Sequence, residues 1–110
     1  MSDITQRGAL TKDDNNVPVG YKYASITAAA PTTTLVKSGA GFLHTITFNK
    51  PVATGTVKIN DALTDTTPII GTITTPVSPI PFTVTYDIEF TVGLTIVTAT
   101  AAQDITVSYI

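Results

Sequence analysis

The chain has 110 residues, a formal net charge of −2, and neither cysteine nor tryptophan. That length implies one domain, and the lack of Cys excludes a disulfide framework, a thiol nucleophile and a cysteine zinc site. A charged content of 13% with a mean hydropathy of +0.29 excludes a chain disordered over most of its length. Thr, Ile and Val number 23, 12 and 10; such β-branched residues favour a pleated surface over a helix.

Residues 1–20, MSDITQRGALTKDDNNVPVG, follow neither a strand nor a helix period. They contain no apolar core of the kind a secretory leader needs. Pro18 fixes an extended segment that ends at Gly20, so the stretch is expected to be an extended N-terminal arm. A polar, aperiodic arm of this kind is expected to be held by a neighbouring subunit or a host surface.

From residue 21 the pattern becomes alternation with period two, the mark of strands. Tyr21–Ala30 is a first candidate strand, ended by Pro31, and Thr32–Lys37 a second, ended by Ser38-Gly39-Ala40-Gly41, which is expected to form a hairpin turn. Phe42–Asn49 alternates with Phe42, His44, Ile46 and Phe48 on one face and Leu43, Thr45, Thr47 and Asn49 on the other. Gly55–Asn60 points Val57 and Ile59 inward. Ile69–Thr75 follows, and then the stiff connection Pro76–Pro81, which cannot lie in a sheet centre. Phe82–Phe90 is the strongest pattern, with Phe82, Val84, Tyr86, Ile88 and Phe90 inward and Thr83, Thr85, Asp87 and Glu89 outward. Leu94–Thr100 and Ile105–Ile110 complete the set, the last with Ile105, Val107 and Tyr109 on one face. About eight short strands separated by Pro, Gly and Asn turns predict an all-β fold: an antiparallel sandwich or jelly roll over 21–110, with the arm over 1–20.

Charge is arranged in blocks. Residues 15–60 carry four lysines and no acid, and residues 61–110 carry five acids and no base. Separate poles of this kind would drive head-to-tail association; strands interleaved from the two halves would instead mix the charges. Four dispersed lysines do not make the clustered basic stripe of a nucleic-acid binder. No apolar run reaches the roughly 18 residues of a membrane helix.

The chemistry-bearing motifs are sparse. Thr-x-Thr pairs occur at Thr45/Thr47, Thr54/Thr56, Thr72/Thr74, Thr83/Thr85 and Thr98/Thr100, but their spacing is too irregular for a stacked water-ordering array. Asp87 and Glu89 share a strand face, a separation at which paired carboxylates can cleave glycosides. A sugar site also wants an aromatic platform, and the nearby aromatics alternate to the other face. Asp13–Asn16 fails the calcium-loop pattern, since Val17 and Pro18 stand where a ligand and a glycine are needed. His44, on the apolar face, is expected to be a hydrogen-bonded core or interface histidine; a carboxylate beside it in one cleft would revive a hydrolase reading. No cofactor site, metal site or catalytic residue is expected, and the chain is not expected to be an enzyme.

Three stretches carry a resemblance: Leu35-Val36-Lys37-Ser38-Gly39-Ala40-Gly41-Phe42-Leu43-His44, then Tyr86-Asp87-Ile88-Glu89-Phe90-Thr91-Val92-Gly93-Leu94, then Asp104-Ile105-Thr106-Val107-Ser108-Tyr109. They resemble small all-β accessory virion proteins of tailed bacteriophages. The likeness spans most of residues 32–110 and omits the arm. It implies a structural protein of the capsid decoration (cement), head-fibre, or tail and neck type, located on the virion at the capsid surface. It implies no catalytic residues.

The function expected is thus a capsid decoration protein that bridges subunits of the major capsid protein, or other virion proteins, through its arm and a sandwich edge. A homo-oligomer, preferably a trimer, is expected, without nucleic acid or membrane as partner. Ile4, Arg7, Leu10, Val17 and Val19 are the candidate arm anchors, being apolar or Arg side chains in a polar segment. The alternative is a tail, collar or fibre protein that binds a host receptor or glycan, with Tyr21 and Tyr23 as an exposed aromatic cluster.

Overall fold

The computed structural model describes residues 11–12 and 18–110. Two short strands in the arm, β1 (Thr11–Lys12) and β2 (Pro18–Val19), pair antiparallel as a sheet of their own. Eight strands follow: β3 (Lys22–Ile26), β4 (Thr32–Ser38), β5 (Gly41–Lys50), β6 (Thr56–Asn60), β7 (Ile69–Thr74), β8 (Phe82–Phe90), β9 (Gly93–Ala99) and β10 (Asp104–Tyr109). Each falls on an element expected from the alternation: β8 has the same bounds, whereas the first expected strand, Tyr21–Ala30, is strand only over Lys22–Ile26 and continues as loop.

The eight strands form two four-stranded antiparallel sheets, β3-β10-β5-β8 and β4-β9-β6-β7. The pairing is nested: the first strand of the eight pairs with the last, the second with the seventh, the third with the sixth and the fourth with the fifth. Folding that nested hairpin over itself brings β10 beside β5 and β9 beside β6. This is jelly-roll connectivity. It corrects one expectation: Ser38–Gly41 joins strands of different sheets, so it is a corner between layers and not a hairpin turn. Gly39, at φ +94°, supplies the left-handed residue of that corner.

The core lies between the sheets. Leu43, Ile46, Phe48, Ile105 and Val107 from one sheet meet Val57, Ile59, Leu94 and Ile96 from the other, all fully buried. Each contributes about 1.5–3 kcal/mol by leaving water. The Phe48 and Phe82 rings stack with centroids 4.4 Å apart. Strand β9 is buried along Gly93–Thr98, because the β6–β7 loop (61–68) folds over the outer face of its sheet. Thr95 Oγ1 donates to the Ala62 carbonyl at 2.7 Å, and Lys58 pairs with Asp65 at 2.6 Å.

The strand order also decides the charge question. In the sheet β3-β10-β5-β8, strands from the lysine-bearing half alternate with strands from the acidic half, and Lys50 sits opposite Asp104. The two blocks therefore mix within the sheet and form no separate poles.

Candidate functional site

Strand β5 departs from regular pairing on both of its sides at His44. Along β5 and β8, Leu43 faces Ile88 and Thr45 faces Thr85, so His44 stands opposite two residues, Tyr86 and Asp87. On its other side, Leu43 and Thr45 face the consecutive residues Tyr109 and Ser108 of β10, which leaves His44 as the extra residue. This is a β-bulge, which bends a strand and re-aims side chains. Asp87 takes φ +50°, uncommon for a residue with a side chain.

The bulge keeps Leu43 in the core with Ile46 and Phe48 and turns His44 outward, its side chain 32% exposed. The expected grouping of Phe42, His44, Ile46 and Phe48 on one apolar face is thus overturned: a bulge resets the alternation between Leu43 and Ile46. His44 Nδ1–H donates to the Asp87 carboxylate, which can only accept. The Tyr21 ring, just ahead of β3, stacks on the imidazole with centroids 4.2 Å apart and planes 8° from parallel. Phe42 lies 6.5 Å from Tyr21, also stacked. The outer face near Asp87 therefore does carry an aromatic ring, supplied by Tyr21 from the segment just ahead of β3.

Beside this cluster is an open groove of about 460 Å³ lined by Tyr21, Lys37, Ala40, Gly41, Phe42 and Ile110. An aromatic plate, an imidazole–carboxylate pair and a lysine at the rim of an apolar groove make a small recognition surface. Among the described residues, the His44 side chain has Asp87 as its hydrogen-bond partner, with no hydroxyl nucleophile joined to it. No group of three His, Asp or Glu among the described residues is placed to hold a metal ion.

The same outer sheet face continues as a field of hydroxyls. Cross-strand pairing sets Tyr23, Ser108, Thr45 and Thr85 in one row and Ser25, Thr106, Thr47 and Thr83 in the next. Thr47 Oγ1 and Thr83 Oγ1 are 3.0 Å apart, and Asn49 Nδ2 donates to Thr106 Oγ1 at 3.0 Å. Two of the five Thr-x-Thr pairs are thus brought side by side by sheet register, which irregular sequence spacing concealed. Tyr23, at the end of its row, is 74% exposed.

Two internal clamps had no sequence signal beyond a polar residue near a turn. Buried Gln103 donates through Nε2 to the Val52 carbonyl and accepts through Oε1 from the Val52 N–H. Buried Thr75 donates through Oγ1 to the Val52 carbonyl and accepts from the Gly55 N–H. At the opposite end, Asp61 gathers the backbone N–H groups of Thr91, Val92 and Gly93.

Of the candidate arm anchors, Ile4, Arg7, Leu10 and Val17 lie outside the described residues, as does Asp13–Asn16. Val19 lies in β2, opposite Thr11. Compared with family models, curated proteins and solved structures, the chain matches none.

Proposed function

We propose that this chain is a non-enzymatic accessory protein of a tailed-phage virion, a decoration protein that attaches to the capsid surface through its N-terminal arm and braces neighbouring capsid subunits. The observation that carries this reading is the arm hairpin. β1 and β2 pair with each other and with neither sandwich sheet. A lone two-stranded hairpin is marginal in water, so it gains stability by docking on a surface outside the sandwich. The virion-protein resemblance over residues 32–110 supports the same reading. The sandwich supplies a rigid body, and the arm supplies reach. Deleting residues 1–20 tests it: the truncated chain is expected to fold and to lose binding to capsids, and saturable binding by the truncated chain would reject it.

A second reading, recognition of a host glycan, is favoured by the Tyr21–His44–Asp87 cluster and the exposed Tyr23. An aromatic face beside a carboxylate and rows of hydroxyls suits a polyhydroxylated ligand. A glycan array with the full chain tests it, read against Tyr21→Ala and Tyr23→Ala. Signal lost in both variants supports glycan binding, and a blank array for the full chain rejects it.

A further inference from the structure

The corner Ser38–Gly41 carries the chain from one sheet to the other, and so brings the end of β4 to the start of β5. There β5 meets the end of the chain: the Phe42 N–H donates to the Ile110 carbonyl and the Ile110 N–H to the Phe42 carbonyl, both at 2.9 Å. Tyr21 stacks on Phe42 with centroids 6.5 Å apart. Lys37 and Ala40 from the corner, Phe42 and Ile110 from the paired strands, and Tyr21 ahead of β3 thus line the groove of about 460 Å³. That volume lies in the roughly 300–1,000 Å³ range of small-molecule sites. Walls held by backbone pairing and ring stacking lose little entropy when a ligand docks.

The chemistry of these walls is one-sided. Among the described residues that line the groove, Tyr21 and Lys37 alone have a side-chain atom able to hydrogen-bond; Ala40, Phe42 and Ile110 offer only carbon. Lys37 is partly buried and is in ion-pair contact with no carboxylate among the described residues, whereas Lys58, also partly buried, pairs with Asp65. A cation drawn partly out of water gains from an anion that meets it there. Asp87 and Glu89 stand on β8, across β5 from Ile110, and neither lines the groove.

We infer that the groove binds a small apolar carboxylate, with its head on the Lys37 ammonium and its hydrocarbon body against Ala40, Phe42 and Ile110. Both halves of that ligand are required by the lining. A neutral sugar would leave most of its hydroxyls without a partner on these walls, so the groove differs in chemistry from the outer hydroxyl face. A cationic ligand would meet like charge at Lys37. A small inorganic anion would leave the carbon walls unused. The inference rests on neither capsid attachment nor glycan recognition: a chain that ignores particles and glycans but takes the carboxylate would reject those readings and leave this one standing.

Titration of the ¹⁵N-labelled full chain with octanoate, kept below its micelle-forming concentration and followed by amide chemical shifts, tests it. Saturable shifts are expected at Tyr21, Lys37, Ala40, Gly41, Phe42 and Ile110. Octan-1-ol, the same body without the charge, is expected to bind there about tenfold more weakly. Acetate, the head without the body, and octylammonium, with the opposite charge, are expected not to saturate the groove. Lys37→Gln, at a position outside the core, is expected to keep the wild-type spectrum elsewhere, to reduce octanoate to the affinity of octan-1-ol, and to leave octan-1-ol unchanged. The inference is overturned if octanoate gives no saturable shifts or gives them elsewhere, if acetate, octan-1-ol or octylammonium binds the groove as tightly as octanoate, or if Lys37→Gln keeps the wild-type affinity for octanoate.

Discussion

Asp61 accepts hydrogen bonds from three successive backbone N–H groups, those of Thr91, Val92 and Gly93, and from the Thr91 hydroxyl. It fastens the corner where the chain passes from β8 to β9. Burial works to raise its pKa; the hydrogen bonds from Thr91, Val92 and Gly93 outweigh that and leave it below the ordinary carboxylate value. A depressed folded-state pKa gives stability that is present above the unfolded value of about 3.9 and lost as pH falls through the lower folded value. The wild type is therefore expected to lose melting temperature as pH falls below about 4. Asp61→Asn should flatten that loss while costing about 1–2 kcal/mol at neutral pH. Thermal melts across pH check both, and a wild-type slope undiminished in the variant would count against this anchor. Asp65, lowered chiefly by its hydrogen bond from Lys58, contributes with the same sign, so some slope should remain. Gly41 is constrained by space: an added Cβ would lie 2.5 Å from Phe90 Cζ, in the buried core, and against the Ile110 carbonyl. Gly41→Ala should cost about 1–3 kcal/mol by overpacking, read from the denaturant midpoint. In sequence, Gly41 reads as one of two turn glycines; the ring that excludes a side chain there comes from a strand nearly fifty residues on.

At the scale of elements, alternation and Pro/Gly punctuation made the eight strands legible because each buries one face. The same rule failed at His44, since one extra residue in a strand reverses every face beyond it, and nothing local in Phe-Leu-His-Thr-Ile announces the insertion. The candidate site was illegible for a related reason. Tyr21, His44 and Asp87 belong to three separate stretches of chain, and only the order β3-β10-β5-β8 and the bulge bring them together. The bulge itself makes a testable claim. Asp87→Ala removes the His44 partner and keeps a side chain at φ +50°, whereas Asp87→Gly removes the same partner and relieves the backbone. The glycine variant is expected to be more stable than the alanine variant by about 1 kcal/mol, contrary to the usual penalty for glycine inside a strand. Urea midpoints of the two measure the difference, and equal midpoints would contradict a left-handed residue at this position.

For the whole molecule, local pattern could not supply the strand order, because a jelly roll is built from pairings between distant parts of the chain. The first sandwich strand, β3, waits for the last, β10, and β10 then lies inside its sheet between β3 and β5. The two ends of the chain should therefore respond oppositely to truncation. Removing residues 1–20 takes away the arm and its separate hairpin and leaves both four-stranded sheets whole. Removing residues 104–110 strips Ile105 and Val107 from the core, worth about 1.5–3 kcal/mol each on burial alone. It also breaks the hydrogen-bond ladders on both sides of β10 and exposes two new strand edges. A small domain holds roughly 5–15 kcal/mol in total, so these losses together should exhaust it. The N-terminal truncation is expected to melt cooperatively near the wild-type temperature, and the C-terminal one to show no cooperative transition and to aggregate. A cooperative melt after loss of 104–110 would mean that β10 is not an interior strand, and the nested pairing would have to be redrawn.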